Sequence, residues 1–183
     1  FQGHELPNML MWAAVSGIVC GVAGGLFGSF LYRGAAAFAP VRWRSFIRRH
    51  LLVVAFVMGI LLALLGTFYQ GKTYGTGYHE AAAALKGAYE APFGLAAAKW
   101  AATVFSYWAG IPGGIFTPSL TIGAMIGEHM ASFTQLGDAS NVAVLLCMAA
   151  FLAAATQSPL TAAVVVMEMT GGQNLLFWML LTC

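Results

Sequence analysis

The run Gly110-Ile111-Pro112-Gly113-Gly114-Ile115-Phe116-Thr117-Pro118 carries almost no reactive side chain, yet its residue types and order suit one kind of chemistry, the holding of an anion by backbone. The first N–H groups of a helix have no intrahelical acceptor, and the aligned peptide dipoles leave about half a positive charge at that end. Gly113 and Gly114 let backbone come close to an ion, and Pro118 fits a first helical turn because its missing N–H would have had no acceptor there. A bare Gly-Pro turn between helices is the alternative reading. The setting favours the anion, because the run lies between long apolar stretches and N–H groups at membrane depth must be satisfied by something, which a chloride ion can do.

Other residue groups with chemical potential carry less. Gly66-Thr67-Phe68-Tyr69-Gln70-Gly71-Lys72-Thr73 satisfies the nucleotide-binding pattern GxxxxGK[ST]. That loop needs a strand before it and an acidic partner for magnesium. Here a membrane-length apolar segment precedes it and Asp138 is the sole aspartate, so no nucleotide is expected. His79-Glu80 begins like HExxH but Ala83 stands where the second histidine would be, and Glu128-His129 are adjacent, about 100° apart on a helix, so no metal site is expected. The pair Glu128-His129 reads as interfacial or surface, and the absence of GxSxG argues against an intramembrane serine protease. Glu168, at the end of an apolar segment, is either a proton or ion relay or a helix-end carboxylate bonded to a backbone break such as Gly171-Gly172. Cys20, Cys147 and Cys183 lack paired metal-ligand spacing and read as free thiols.

The elements that must position these residues are membrane segments. The chain is 60% hydrophobic and 8% charged, against roughly 25% charged in an ordinary soluble domain, which marks an integral membrane protein. A net charge of +2 is too small to point to nucleic acid. Leu6 to Leu31 and Leu51 to Phe68 are apolar enough and near enough to about 20 residues to span, and Gly17, Gly21, Gly24, Gly25 and Gly28 form a small-residue stripe for close helix packing. Arg33, Arg42, Arg44, Arg48 and Arg49 fall in one hydrophilic interval, 33–49, which the positive-inside tendency places in the cytoplasm. Tyr69 to Tyr78 is a glycine-rich break, Glu80 to Tyr89 a helix too short to cross, and Ala91 to Ala109 a third long segment. Leu120 to Phe133 continues from the Gly-Pro run, with Gly123 and Gly127 as a close-packing pair. Asn141 to Ala155 and Leu160 to Met169 are short for a crossing, and Leu175 opens a last segment that is apolar to Cys183, as expected of a fragment that stops within a helix. Phe1-Gln2-Gly3 reads as the remnant of a purification tag, which leaves 4–183 as the domain proper. Uneven lengths and breaks at membrane depth are the pattern of channels and transporters.

Gly113-Gly114-Ile115-Phe116-Thr117-Pro118 resembles the GxFxP signature of the CLC chloride channels and proton/chloride exchangers. Gly75-Thr76-Gly77-Tyr78 sits where that family has a glycine-rich turn before a short helix, and Ser158-Pro159-Leu160-Thr161 through Glu168-Met169-Thr170 resembles its "PLT…EMT" segment. The resemblance implies an all-α integral membrane fold of inverted repeats with broken and tilted helices, of which this chain is the later half, from about the tenth helix to the seventeenth. It implies that the backbone N–H groups of Ile115 and Phe116 bind chloride, while Gly113, Gly114, Thr117 and Pro118 support the site. Thr117 has a hydroxyl suited to an anion or to capping, the latter favoured, and the bulky Tyr107-Trp108-Ala109 precedes the motif where small residues are common. The family's serine-bearing anion motif, gating glutamate, inner proton glutamate and coordinating tyrosine lie outside the matched region.

The resemblance therefore implies chloride transport as a voltage-gated-type channel, with a proton-coupled exchanger as the alternative and chloride as transported ligand rather than cofactor. It further implies a homodimer whose surface includes Leu160 to Thr170 and Leu175 to Cys183, embedded in lipid in a bacterial inner membrane. A membrane enzyme using Glu128, His129 or Glu168 and a non-conducting scaffold are the readings of other classes.

Overall fold

The structure is a computed structural model that describes residues 9–38, 40, 44, 45, 47, 49–86, 92, 94–111, 113–133 and 140–183. The first three residues, Arg42, Arg48 and Asp138 lie outside the described residues. Among the described residues the chain is helical, without strands. The helices are α1 (Met9–Phe38), α2 (Leu51–Phe68), α3 (Tyr78–Leu85), α4 (Leu95–Trp108), α5 (Phe116–Phe133), α6 (Ser140–Thr156), α7 (Pro159–Thr170) and α8 (Leu176–Thr182), the last preceded by a 3-10 turn over Gln173–Leu175. Met9–Gly34 and Leu51–Phe68 are long and apolar enough to cross a membrane.

Helix α6 is the axis of the fold. Every residue from Val142 to Ala153 is buried, so α6 is apolar all round and enclosed by α1, α5, α7 and α8. The approach of α5 to α6 is set by glycine. A Cβ on Gly123 would stand 2.7 Å from the Cys147 carbonyl oxygen, and one on Gly127 would stand 2.6 Å from Val144 Cα, so the expected close-packing pair does bring the two backbones together. On α1 the expected stripe divides. Gly17 abuts the Thr182 carbonyl, Gly24 that of Phe151 and Gly28 that of Ala155, whereas Gly21 and Gly25 face open space. Spacings of seven and four keep Gly17, Gly24 and Gly28 on one face; Gly25 lies off it, and Gly21, at its edge, meets no neighbour.

Aromatic side chains join α4 to α1. Trp100 Nε1 donates to the Ala23 carbonyl at 3.3 Å and Trp108 Nε1 to that of Phe30 at 2.9 Å. The Trp108 ring stacks on Phe30 with centroids 5.9 Å apart. Such rings contribute both buried area and a hydrogen bond that the membrane interior cannot otherwise supply.

Element boundaries differ from expectation at instructive places. Helix α1 runs past Leu31 to Phe38, so Arg33 is helical, with a break at Gly34 (φ 65°, ψ 169°). Arg44, Ser45, Ile47 and Arg49 are also helical, and Arg44 Nη2 donates to the Ala37 carbonyl at 3.2 Å, so the arginine interval is partly helical rather than a plain loop. The third segment is only 14 residues long, because Pro92 and Gly94 begin α4 later than Ala91. Helix α5 begins within the Gly-Pro run, at Phe116 rather than Leu120, because Pro118 fits its first turn.

Candidate functional site

The two glycine breaks meet. The turn Thr73-Tyr74-Gly75-Thr76 and the residues Gly113, Gly114 and Pro118 line one open cavity of about 360 Å3, whose third wall is the α4 face bearing Thr103, Ser106 and Tyr107. Sequence position gave little hint of this pairing. Thr121 on α5 makes the join, its hydroxyl lying 3.1 Å from the Thr76 carbonyl oxygen and 3.0 Å from that of Thr117. Gly77, at φ 79°, permits the approach, because a Cβ there would stand 2.5 Å from Thr121 Cγ2.

Helix α5 leaves this cavity with its first donors free. The Ser119 N–H donates to the Ile115 carbonyl at 3.0 Å, which closes the first helical turn. Among the described residues the N–H groups of Ile115, Phe116 and Thr117 have no acceptor, and Pro118 has no N–H to satisfy. Phe116 is exposed and Ile115 half-buried, so this helix end is open to a ligand. Gly113, Gly114 and Pro118 line the large cavity, whereas Ile115 and Phe116 follow just beyond it.

Thr117 does not cap α5 through its side chain. Among the described residues its hydroxyl makes no hydrogen bond, and the Ser119 hydroxyl instead donates to the Ile115 carbonyl at 2.6 Å. Thr117 borders a second, mostly apolar cavity of about 70 Å3 with Tyr78, Leu120, Met148 and Met169. The bulky residues ahead of the motif part ways as well. Tyr107 turns into the large cavity and donates its hydroxyl to the Gly113 carbonyl at 3.2 Å, while Trp108 turns away to α1.

A residue that the sequence reading passed over lies behind the cavity wall. Lys99 on α4 is 1% exposed, and its Nζ donates to the carbonyls of Thr73, Tyr74 and Gly75 at 3.0, 3.0 and 2.9 Å. The three carbonyls match in number the three hydrogens of an ammonium group. Among the described residues it makes no ion pair, and the acid that acts on it through space is Glu80 in the first turn of α3. The signal was available, since a lone lysine in an apolar segment requires polar partners.

The remaining candidates stand apart. Glu168 is exposed and, among the described residues, makes no hydrogen bond to Gly171, Gly172 or any other group. Helix α7 ends instead through Gly171 (φ 68°), whose N–H donates to the Met167 carbonyl at 2.8 Å. His129 Nδ1 and Glu128 Oε2 lie 2.9 Å apart as a partly exposed pair near the end of α5. At the GxxxxGK[ST] match a helix, α2, occupies the place of the required strand, and Gly66 accommodates the Tyr74 ring packed against it. Cys20, Cys147 and Cys183 are free thiols.

Comparison with known proteins places residues 2–183 in a match to the family described as voltage gated chloride channel. The chain is 29% identical over 98% of its length to the H(+)/Cl(-) exchange transporter ClcA of Yersinia pestis bv. Antiqua (strain Angola), of which it covers 38%. It is also 41% identical to the voltage-gated ClC-type chloride channel ClcB of Yersinia pseudotuberculosis serotype O:1b (strain IP 31758), over 46% of this chain and 22% of that protein. The chain thus spans well under half the length of these relatives.

Proposed function

We propose that this chain, which belongs to the voltage gated chloride channel family, forms part of a membrane domain that moves chloride by lodging it against the backbone N–H groups of Ile115 and Phe116. The observation that carries the reading is the α5 N-terminus, whose free N–H groups open beside the large cavity. There the helix dipole and unpaired donors replace the water that chloride sheds. Binding through dipoles rather than a contacting cation leaves the ion free to depart, as throughput requires. Gly113, Gly114 and Pro118 set the backbone path into the site, and Thr117 occupies the second helical position.

The named relatives are a transporter and a channel, and both modes suit the same backbone site. The complete protein is read as a homodimer in lipid, in a bacterial inner membrane with residues 33–49 on the cytoplasmic side. Exposed apolar residues on α2, such as Leu52, Phe56 and Leu64, support contact with lipid or with further membrane helices. Chloride efflux from liposomes holding the full-length protein tests the reading, and intact protein without efflux would refute it. In the same liposomes, protons driven uphill by a chloride gradient identify an exchanger; their absence identifies a channel.

A further inference from the structure

One face of α4 holds both glycine breaks by their carbonyl oxygens. Lys99, Ala102, Thr103, Ser106 and Tyr107 recur at helical spacing, and all but Lys99 line the large cavity. At one end of this face Lys99 Nζ donates to the carbonyls of Thr73, Tyr74 and Gly75. At the other end the Tyr107 hydroxyl donates to the carbonyl of Gly113. The helix thereby spaces the turn ahead of α3 from the run ahead of α5, with the two residues about 12 Å apart along its axis.

Lys99 is the attachment that packing alone explains least. It is buried, no described carboxylate pairs with it, and an ionisable side chain in a membrane segment calls for a functional reading. What it grips lies one residue from the anion helix. The Thr76 carbonyl, next along the chain from Gly75, is 3.1 Å from the Thr121 hydroxyl on α5, and that hydroxyl is 3.0 Å from the Thr117 carbonyl in the first turn of α5. Gly77 keeps the two elements in close contact, since a Cβ there would stand 2.5 Å from Thr121 Cγ2. A continuous line of contacts thus runs from Lys99 through the turn 73–76 and Thr121 to the helix turn whose N–H groups have no acceptor among the described residues.

We propose that Lys99 is a positioning residue for the anion site: it fixes the turn 73–76 and, through the contact of Thr76 with Thr121, sets where the N–H groups of Ile115 and Phe116 stand. This rests on the chloride-transport reading above. Lys99 acts without touching the ion, because its Nζ is directed at the turn. A site made of backbone donors has no side chain that can readjust, so small displacements of the helix start weaken binding directly.

The test is a double-mutant cycle in the full-length protein, read as the chloride Kd by calorimetry well below the melting temperature. Lys99→Met keeps the apolar stem and removes the donors; Thr121→Val cuts the contact with Thr76. Each change should raise Kd about tenfold, the equivalent of one hydrogen bond to the ion. The double variant should bind within about twofold of the weaker single variant, because both cut one line of contacts. A merely structural lysine lowers the melting temperature and leaves Kd unchanged, and a charge acting through space gives effects that multiply. Should K99M fail to fold, Lys99→Arg carries the same cycle. Its planar fork keeps donors and charge but holds the turn in a different place, so its effect on Kd should vanish when Thr121 is valine. A folded Lys99 variant with Kd within twofold of wild type, or effects of the two changes that multiply, overturns the positioning role and leaves the transport reading standing. Wild-type protein that neither binds nor passes chloride refutes the transport reading itself.

Discussion

Thr121 Oγ1 lies 3.1 Å from the Thr76 carbonyl oxygen, and this contact binds the opening turns of α5 to the glycine turn ahead of α3. The same hydroxyl is 3.0 Å from the Thr117 carbonyl, so its one proton serves both elements. Geometry at the α5 N-terminus is thus fixed from the side rather than by its own cap. Thr121→Val should destabilise the protein by about 1–2 kcal/mol, the typical cost of leaving a buried acceptor unsatisfied. Thermal unfolding of the purified full-length protein in detergent checks the value, and an unchanged melting temperature would remove the tie from the account.

Gly123→Ala and Gly127→Ala should each destabilise by about 1–3 kcal/mol, because the added methyl meets α6 backbone rather than a yielding side chain. Gly21→Ala, which meets nothing within 4 Å in this chain, is the control and should change stability by less than about 0.5 kcal/mol. The fraction of monodisperse protein on size exclusion after heating distinguishes them. Equal losses for Gly21 and Gly123 would contradict the packing described.

Tyr107 and Trp108 are neighbours with separate duties. Tyr107→Phe frees the Gly113 carbonyl in the cavity wall and should slow chloride flux several-fold with little effect on stability. Trp108→Phe keeps an aromatic ring but loses part of the indole's packing and its bond to the Phe30 carbonyl, and should cost about 1–3 kcal/mol of stability with flux unchanged. Flux and melting temperature measured on both variants decide it; the reverse pattern would place Trp108, not Tyr107, at the site.

Glu168→Gln should leave chloride flux and any proton coupling within about twofold, since the carboxylate is exposed and borders neither cavity. Coupled proton movement that collapses in E168Q, with chloride flux retained, would restore Glu168 as a relay.

Much of this arrangement was legible in the residues themselves. A Gly-Pro run between apolar segments announced a helix start, and the i, i+4 glycines Gly123 and Gly127 announced a close crossing, because both signals are local in sequence. Which of the α1 glycines would be used was not legible, since a stripe of five glycines does not say which face meets a partner. Nor was the meeting of the two breaks. Lys99 reaches carbonyls 24 to 26 residues before it, and no short motif records so distant a bond. Thr117 invites a capping role by type, but it stands at the second helical position rather than ahead of the helix, and among the described residues its hydroxyl makes no hydrogen bond.

The central claim is that backbone N–H groups at the start of α5 hold the transported anion, and the most direct measurement removes one of them. Phe116 replaced by its α-hydroxy acid analogue in the full-length protein exchanges the amide for an ester and leaves the side chain intact. The account predicts that the chloride dissociation constant, read by calorimetry, rises by at least about tenfold, the worth of one hydrogen bond to a charged group. A dissociation constant within twofold of wild type, in protein that remains folded and transports chloride, would contradict it.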